Sequence, residues 1–233
     1  MRIIAYLTML AVTFCVTACS YSNYFVDEEE EEEETDAYST LSNVNISAYD
    51  TWTYINLITG ETETHPDATE WIYSGTGEIR EAQTAEEITI DWHVAVHRYE
   101  FKTNGASVLN TGLTDITSVT SLPSGTYTAD EIAPYETESV AENGYVLSMD
   151  LSGMMDGNVG YAHNPTINRT LCDGITRTAT GSMPPYVYST TAQVFALQWT
   201  DGSWATFQVT HTANTSTSVS HYMTFNYKYH AAE

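Results

Sequence analysis

Basic residues are scarce in this 233-residue chain: Lys and Arg together number 7, against 31 Asp plus Glu, for a formal net charge of −24. A nucleic-acid binder contacts phosphates through clustered cations, and docking on anionic lipid also needs a basic patch. Neither class fits. Cysteine is sparse as well, with Cys15, Cys19 and Cys172 alone, too few for a disulfide-rich scaffold. Enzyme signatures are missing too: no GxSxG elbow, no HExxH, no glycine-rich phosphate loop and no cysteine in a local protease motif. Carboxylates are plentiful, but a catalytic pair is defined by its separation in space, not by abundance. No segment shows sustained helical periodicity. What is present is apolar bulk, 42% of the chain, with 17 Tyr and much Thr. That composition predicts a packed, β-rich body.

The N-terminus reads as an address. Arg2 supplies a short positive region and an apolar stretch runs from Ile3 to Val16. It is shorter than the ~20 residues of a bilayer span and is followed by polar chain. Val16-Thr17-Ala18-Cys19 has a lipobox pattern: a branched residue, two small ones, then the cysteine that is acylated. Residues 1–18 are therefore expected to be a lipoprotein signal peptide and Cys19 the lipidated N-terminus, anchoring the chain without a spanning helix. Asp27 and the unbroken run Glu28 to Glu34 repel one another and bury nothing. Residues 19–43 are expected to be a disordered acidic tether, similar to surface-export tags on lipoproteins of Bacteroidetes-type cells. Proteolysis within it would shed the body. Cys172 is expected to be a buried, inert thiol.

From residue 44 to 233 one β domain is expected. Thr51 to Ile58 is rich in aromatic and branched residues and stops at Thr59-Gly60. Ile88 to Lys102 reads as one long strand ending at the turn Thr103-Asn104-Gly105. Gly144 to Leu151 is a further candidate. Gln193–Thr200 and Ser203–Thr210 flank Asp201-Gly202, the strongest hairpin signal in the chain. The last strand, His221 to Tyr229, places Met223, Phe225, Tyr227 and Tyr229 on one face. A short helix follows Pro165. The fold class is all-β: twisted antiparallel sheets in a sandwich or open barrel.

His93 and His97 stand four apart, a zinc spacing on a helix, but on a strand that separates them by ~13 Å. They read as satisfied polar groups on a sheet. His211 and His221 flank a polar hairpin loop with no third ligand supplied by spacing. The unusual region is Met149 to Pro185, with Met149, Met154, Met155 and Met183, four of the seven methionines. Met154-Met155 lies in Ser152-Gly153-Met154-Met155-Asp156-Gly157, and Met183 sits between Gly181-Ser182 and Pro184-Pro185. In loops a large apolar side chain has no core to enter automatically. A thioether is a soft ligand that can take an axial position on haem iron; the competing reading is that Met fills gaps in a core.

Several stretches resemble the HmuY-like haem-binding lipoproteins, the haemophores of Bacteroidetes. They are Tyr49-Asp50-Thr51-Trp52-Thr53-Tyr54 with Thr59-Gly60-Glu61, and Asp91-Trp92-His93-Val94-Ala95-Val96-His97-Arg98-Tyr99 running into Lys102-Thr103-Asn104-Gly105. Pro123-Ser124-Gly125-Thr126-Tyr127, Met183-Pro184-Pro185-Tyr186, and Val194-Phe195 with Asp201-Gly202 continue the match, in order, over about residues 45–230. The resemblance implies an all-β fold with haem-binding loops at one end and two axial iron ligands from two loops. Met183 falls at the second ligand position. The first loop matches Gly153 to Gly157 and offers Met154 and Met155, with Met155 slightly favoured and His163 as the alternate for a mixed pair. No histidine stands at either matched position, a departure from the bis-histidine type. Tyr161, Tyr186 and Tyr188 are candidates to stack on the macrocycle, and Arg169 and Arg177 are the nearest cations in sequence. The implied role is that of a lipid-anchored, surface-exposed outer-membrane haemophore, a binding protein and not an enzyme. It would take haem from host or environmental haemoproteins and pass it to a TonB-dependent outer-membrane receptor. The rival readings are a surface adhesion or glycan-binding β module, with Trp71 or Trp204 stacking on sugars, and a relative that binds another tetrapyrrole such as metal-free porphyrin.

Overall fold

The computed structural model describes residues 38–133, 148–182 and 186–232. The signal peptide, Cys19, the glutamate run, the start of the Gly144–Leu151 candidate strand and Met183 lie outside the described residues. In chain order the strands are β1 (Ser39–Asn45), β2 (Thr51–Ile55), β3 (Thr62–Pro66), β4 (Trp71–Tyr73), β5 (Ile79–Arg80), β6 (Val94–His97), β7 (Glu100–Thr103), β8 (Ser107–Asn110), β9 (Glu131–Ile132), β10 (Met149–Asp150), β11 (Gly160–Ala162) and β12 (Thr166–Ile167). They continue as β13 (Ile175–Ala179), β14 (Tyr186–Thr190), β15 (Val194–Gln198), β16 (Trp204–Ala213) and β17 (Ser220–His230). One short helix, α1 (Arg169–Cys172), follows Pro165 as its sequence suggests. The Asn168 side chain caps it, accepting from Leu171 N at 3.0 Å.

Two antiparallel sheets face each other, and neither closes into a barrel. One has the order β1-β17-β16-β15-β8, the other β3-β2-β6-β7. The Asp201-Gly202 hairpin forms as expected, with Val194 paired to Gln208 and Gln198 to Trp204. Gly202 takes the left-handed turn conformation, φ +95°. On β17, Met223, Phe225 and Tyr227 are buried. Phe101 from one sheet meets Phe207 from the other edge to face, centroids 5.8 Å apart, and Phe225 lies 5.2 Å beyond. Burying aromatics of this size is the main apolar contribution to such an interface. Cys172 is buried under β7, as expected for an inert thiol, and burial raises its pKa.

Two expectations are corrected here. The stretch assigned to the tether through residue 43 includes β1, which pairs with β17 from Ser39 onward. Ser39–Asn45 is polar and reads as spacer, but an edge strand needs only backbone partners, and Leu41 and Val44 suffice to pin it to the core. The second concerns Ile88 to Lys102, which is not one strand. The chain reverses at Arg98-Tyr99, so that His97 pairs with Glu100 and Val94 with Thr103. A two-residue hairpin loop demands positive φ, usually from Gly or Asn. Here Arg98 supplies it, φ +50°, which is why no turn signal is visible.

Replacing Phe207 by Ala should lower unfolding free energy by about 3–5 kcal/mol, the cost of emptying an aromatic-sized volume in a core that relaxes only partly. Urea unfolding of the two proteins measures it; a loss below about 1 kcal/mol would mean that the two sheets do not pack through this ring.

Candidate functional site

The histidines separate into structural roles. His93 accepts from Leu57 N through Nδ1 (3.3 Å) and sits edge-on between Trp199 and Tyr229. His97 contacts the Thr51 carbonyl at 2.9 Å. The pair behaves as satisfied sheet residues. His211 contacts its neighbour Thr210, whereas His221 turns to Tyr99 and Arg98. Among the described residues no group of three His, Cys, Asp or Glu is arranged to hold a metal ion.

The methionine loop is a rigid turn. Met154–Asp156 form a single 3-10 turn between Gly153 and Gly157. Gly157 closes it at φ +70°, donating to the Met154 carbonyl at 3.1 Å. A Cβ at Gly153 would come within 2.3 Å of the Asn158 carbonyl, so only glycine permits this crossing. Asn158 in turn accepts from Gly75 N at 3.1 Å, tying the turn to the β4–β5 connection. Below the turn, β10-β11-β4-β5 form a four-stranded sheet. Its base is held by buried Asp67, which accepts from Ser148 and from Trp52 Nε1. Burial opposes charge on Asp67, but hydrogen bonds from Ser148, Thr69 and Trp52 outweigh it and keep the carboxyl below its ordinary value.

On this scaffold Met155 is 90% exposed and Met154 54%. One face of the sheet carries an apolar row. Met149 pairs with Tyr161, Tyr161 with Ile72 and Ile72 with Ile79, a row crossing all four strands. None of the four is buried. Exposed apolar side chains thus gather on a turn and sheet that hydrogen bonds hold in place. His163, by contrast, lies beyond the far end of β11 from the turn and is engaged through Nδ1 by Glu70.

The second hairpin, β13–β14, carries the loop in which Met183 lies outside the described residues. Register places Arg177 opposite Tyr188 and Ala179 opposite Tyr186, so Arg177, Tyr186 and Tyr188 share a face. The Arg177 guanidinium lies 4.2 Å from the Tyr186 ring centre. Tyr188 stacks on Tyr99, rings 3.6 Å apart and 9° from parallel.

A ladder of contacts joins the two hairpins. The Tyr49 carbonyl accepts from Met149 N at 2.6 Å. The Arg98 guanidinium covers the Tyr49 ring at 4.1 Å and donates to the Ser47 carbonyl (2.7 Å), the Tyr49 hydroxyl (3.2 Å) and His221 Nε2 (3.4 Å). Tyr99, next in the chain, meets His221 Nδ1 at 2.9 Å and stacks on Tyr188. Arginine can only donate, so Nε2 accepts and Nδ1 carries the ring proton. Burial pushes Tyr99 up to about 12, and burial also raises Tyr188. These hydroxyls stay neutral, and the strip between the hairpins is largely aromatic.

Tyr49, Arg98, Ile72 and Ile79 also line this region, and no motif distinguishes them in the sequence. A lone arginine inside an apolar strand pattern was the available signal; nothing marked the isoleucines. The sugar-stacking role of Trp71 is overturned, because this ring is 1% exposed beneath Arg80. Trp204 is stacked on His230, centroids 3.8 Å apart. Arg169 is committed to Glu131.

Burial, then the Arg98 charge, hold His221 below its ordinary pKa. Neutral His221 therefore contributes stability that is complete above about pH 6.5 and is lost as pH falls through the lower folded value. The urea midpoint of the wild type should fall more steeply between about pH 7 and pH 5 than that of His221→Gln. Parallel slopes would show that this ring does not titrate against Arg98.

A family model described as HmuY protein matches residues 48–227. Among solved structures, an apo HmuY analog from Tannerella forsythia superposes with a TM-score of 0.68 at 28% identity, over 84% of this chain and 96% of that one. A Bacteroides vulgatus protein described as a candidate HmuY-like haem-binding protein is 25% identical, with a TM-score of 0.61 over 82% and 90% of the two chains. A candidate lipoprotein from Bacteroides fragilis is 26% identical, with a TM-score of 0.61 over 84% and 90%. No curated protein sequence matches the chain. The family match spans most of the body and the antiparallel sheets agree with it: the chain belongs to the HmuY family.

Proposed function

We infer that this protein is a surface lipoprotein that captures haem and passes it to an outer-membrane haem transporter. The observation that carries the reading is the pair Met154-Met155, held exposed on a glycine-locked turn at the end of a sheet with an apolar cross-strand row. Solvation gives no reason to keep two thioethers on a rigid turn; burying one against a ligand contributes about 1.5–3 kcal/mol. Family membership supports haem as that ligand, and the Bacteroides vulgatus relative is described as haem-binding. Haem would supply an iron that takes soft side-chain ligands. Met155, with Met154 or His163 as alternates, and Met183 would hold it, while Tyr161 and Tyr186 would flank the macrocycle. The lipobox at Cys19 and the acidic run support a tethered location at the cell surface. Handover to a TonB-dependent receptor and capture from host haemoproteins extend the same reading.

Thioether ligation favours ferrous over ferric haem, because it raises the reduction potential relative to imidazole. Titration with haem should give a tighter complex with dithionite than without, and the Met155→Ala, Met183→Ala double variant should lose the low-spin spectrum in both states. A ferric complex tighter than the ferrous one would contradict methionine ligation. A Soret band unchanged from free haem in both states would remove the function itself.

A further inference from the structure

The described methionines sit in different surroundings. Met223, on β17, is fully buried in the core, and Met149 is half-buried on β10. Met154 and Met155 stand mostly in solvent, Met155 at 90% exposure. The turn that carries these two has a fixed backbone. Met154 N donates to the Leu151 carbonyl (3.1 Å), while Asp156 N (3.0 Å) and Asn158 N (2.9 Å) both donate to the Gly153 carbonyl. Gly153 itself crosses the Asn158 carbonyl too closely for any side chain. The exposure of Met155 is therefore set by hydrogen-bonded backbone and does not depend on a loose loop.

The described thiol, by contrast, is out of reach. Cys172 is buried, Phe101 N donates to its Sγ at 3.3 Å, and burial raises its pKa. Peroxides attack cysteine as the thiolate, so this group is silent at neutral pH. A thioether has no proton to lose. It reacts wherever an oxidant can reach the sulfur lone pair and water can solvate the polar product. Among the described sulfurs Met155 meets both conditions best. In the step, sulfur attacks one oxygen of a hydroperoxide, and an S–O bond forms as the O–O bond breaks. Sulfur is oxidised by two electrons, the peroxide is reduced, and the other oxygen takes up the proton and leaves as water or an alcohol. The product is methionine sulfoxide, which a thiol-driven reductase converts back with release of water.

We propose that Met155 is an oxidation site through which hydroperoxides switch the ligand affinity of the methionine turn: the sulfoxide withdraws a soft sulfur donor, lowers affinity for ferrous haem and so favours release, and thiol-driven reduction restores the grip. The selectivity for Met155 stands on its exposure, on the fixed turn and on the silent thiol. The effect on haem rests on the haem reading above. A sulfoxide offers a hard oxygen in place of the soft thioether, a poorer match for ferrous iron, and it makes an apolar side chain polar.

The full mature chain is treated with limiting hydrogen peroxide, and oxygen uptake at each methionine is followed by peptide mapping. Met155 should be oxidised first, about tenfold faster than buried Met223, at a rate that stays flat between about pH 5 and pH 8 because no thiolate is involved. Chain carrying the sulfoxide at Met155 should bind ferrous haem about tenfold more weakly, and methionine sulfoxide reductase with dithiothreitol should restore the affinity. Met155→Leu, which cannot take the oxygen, should bind haem weakly with or without the same peroxide dose. Thermal unfolding of the oxidised chain at the untreated midpoint excludes a folding defect. Oxidation of Met155 no faster than Met223, a first oxygen at Met183, or unchanged ferrous haem affinity with the sulfoxide in place would overturn the switch. If the untreated chain fails to bind haem while Met155 is still oxidised first, the haem reading falls and the oxidation site stands.

Discussion

A single arginine in the left-handed conformation sets the geometry of everything around the site. A non-glycine residue there costs about 1–2 kcal/mol, and Arg98 recovers that through the Ser47 carbonyl, the Tyr49 hydroxyl and ring, and His221. His221 is itself at positive φ, +67°, where the β16–β17 register shifts. Two strained residues therefore hold each other. Strain of this kind persists only where the surroundings over-determine it, and here the surroundings are one aromatic ring from each neighbouring segment. If the Arg98 contacts were lost, the β6–β7 turn, the approach to β2 and the stack on Tyr188 would lose a common support.

That arrangement joins two short hairpins from distant parts of the chain. Neither hairpin is part of the main sandwich. Each is fastened to it through a different side of the same ladder, the first by Tyr49 and the second by Tyr188. The sandwich supplies rigidity through Phe101, Phe207 and Phe225. The hairpins supply apolar surface that the core does not claim. The core buries its aromatics, while Met154 and Met155 stay outside it on a glycine-flanked turn.

Charge follows the same division. The excess of carboxylates stays largely in solvent or in local turns, as with Asp115 and Asp201, each accepting from the backbone two residues on. Four of the seven cations are placed individually against aromatic rings, Arg80 on Trp71, Arg98 on Tyr49, Lys102 on Trp52 and Arg177 on Tyr186, while Arg169 pairs with Glu131.

The strands with strong local signals were legible from residues alone. Asp201-Gly202 and Asn104-Gly105 mark their turns because their backbone preferences are intrinsic, and β17 shows its buried face because alternation is a property of the strand itself. The glycine-flanked methionine pair stood out for the same reason. Tertiary structure alone decided the Arg98 reversal, the recruitment of polar Ser39–Asn45 into the sheet and the burial of Trp71. Each of these depends on a partner dozens of residues away, so no local pattern encodes it. Turn preference and side-chain alternation act over two to five residues and can be read along the chain; a left-handed arginine is permitted only once Ser47, Tyr49 and His221 have been brought around it.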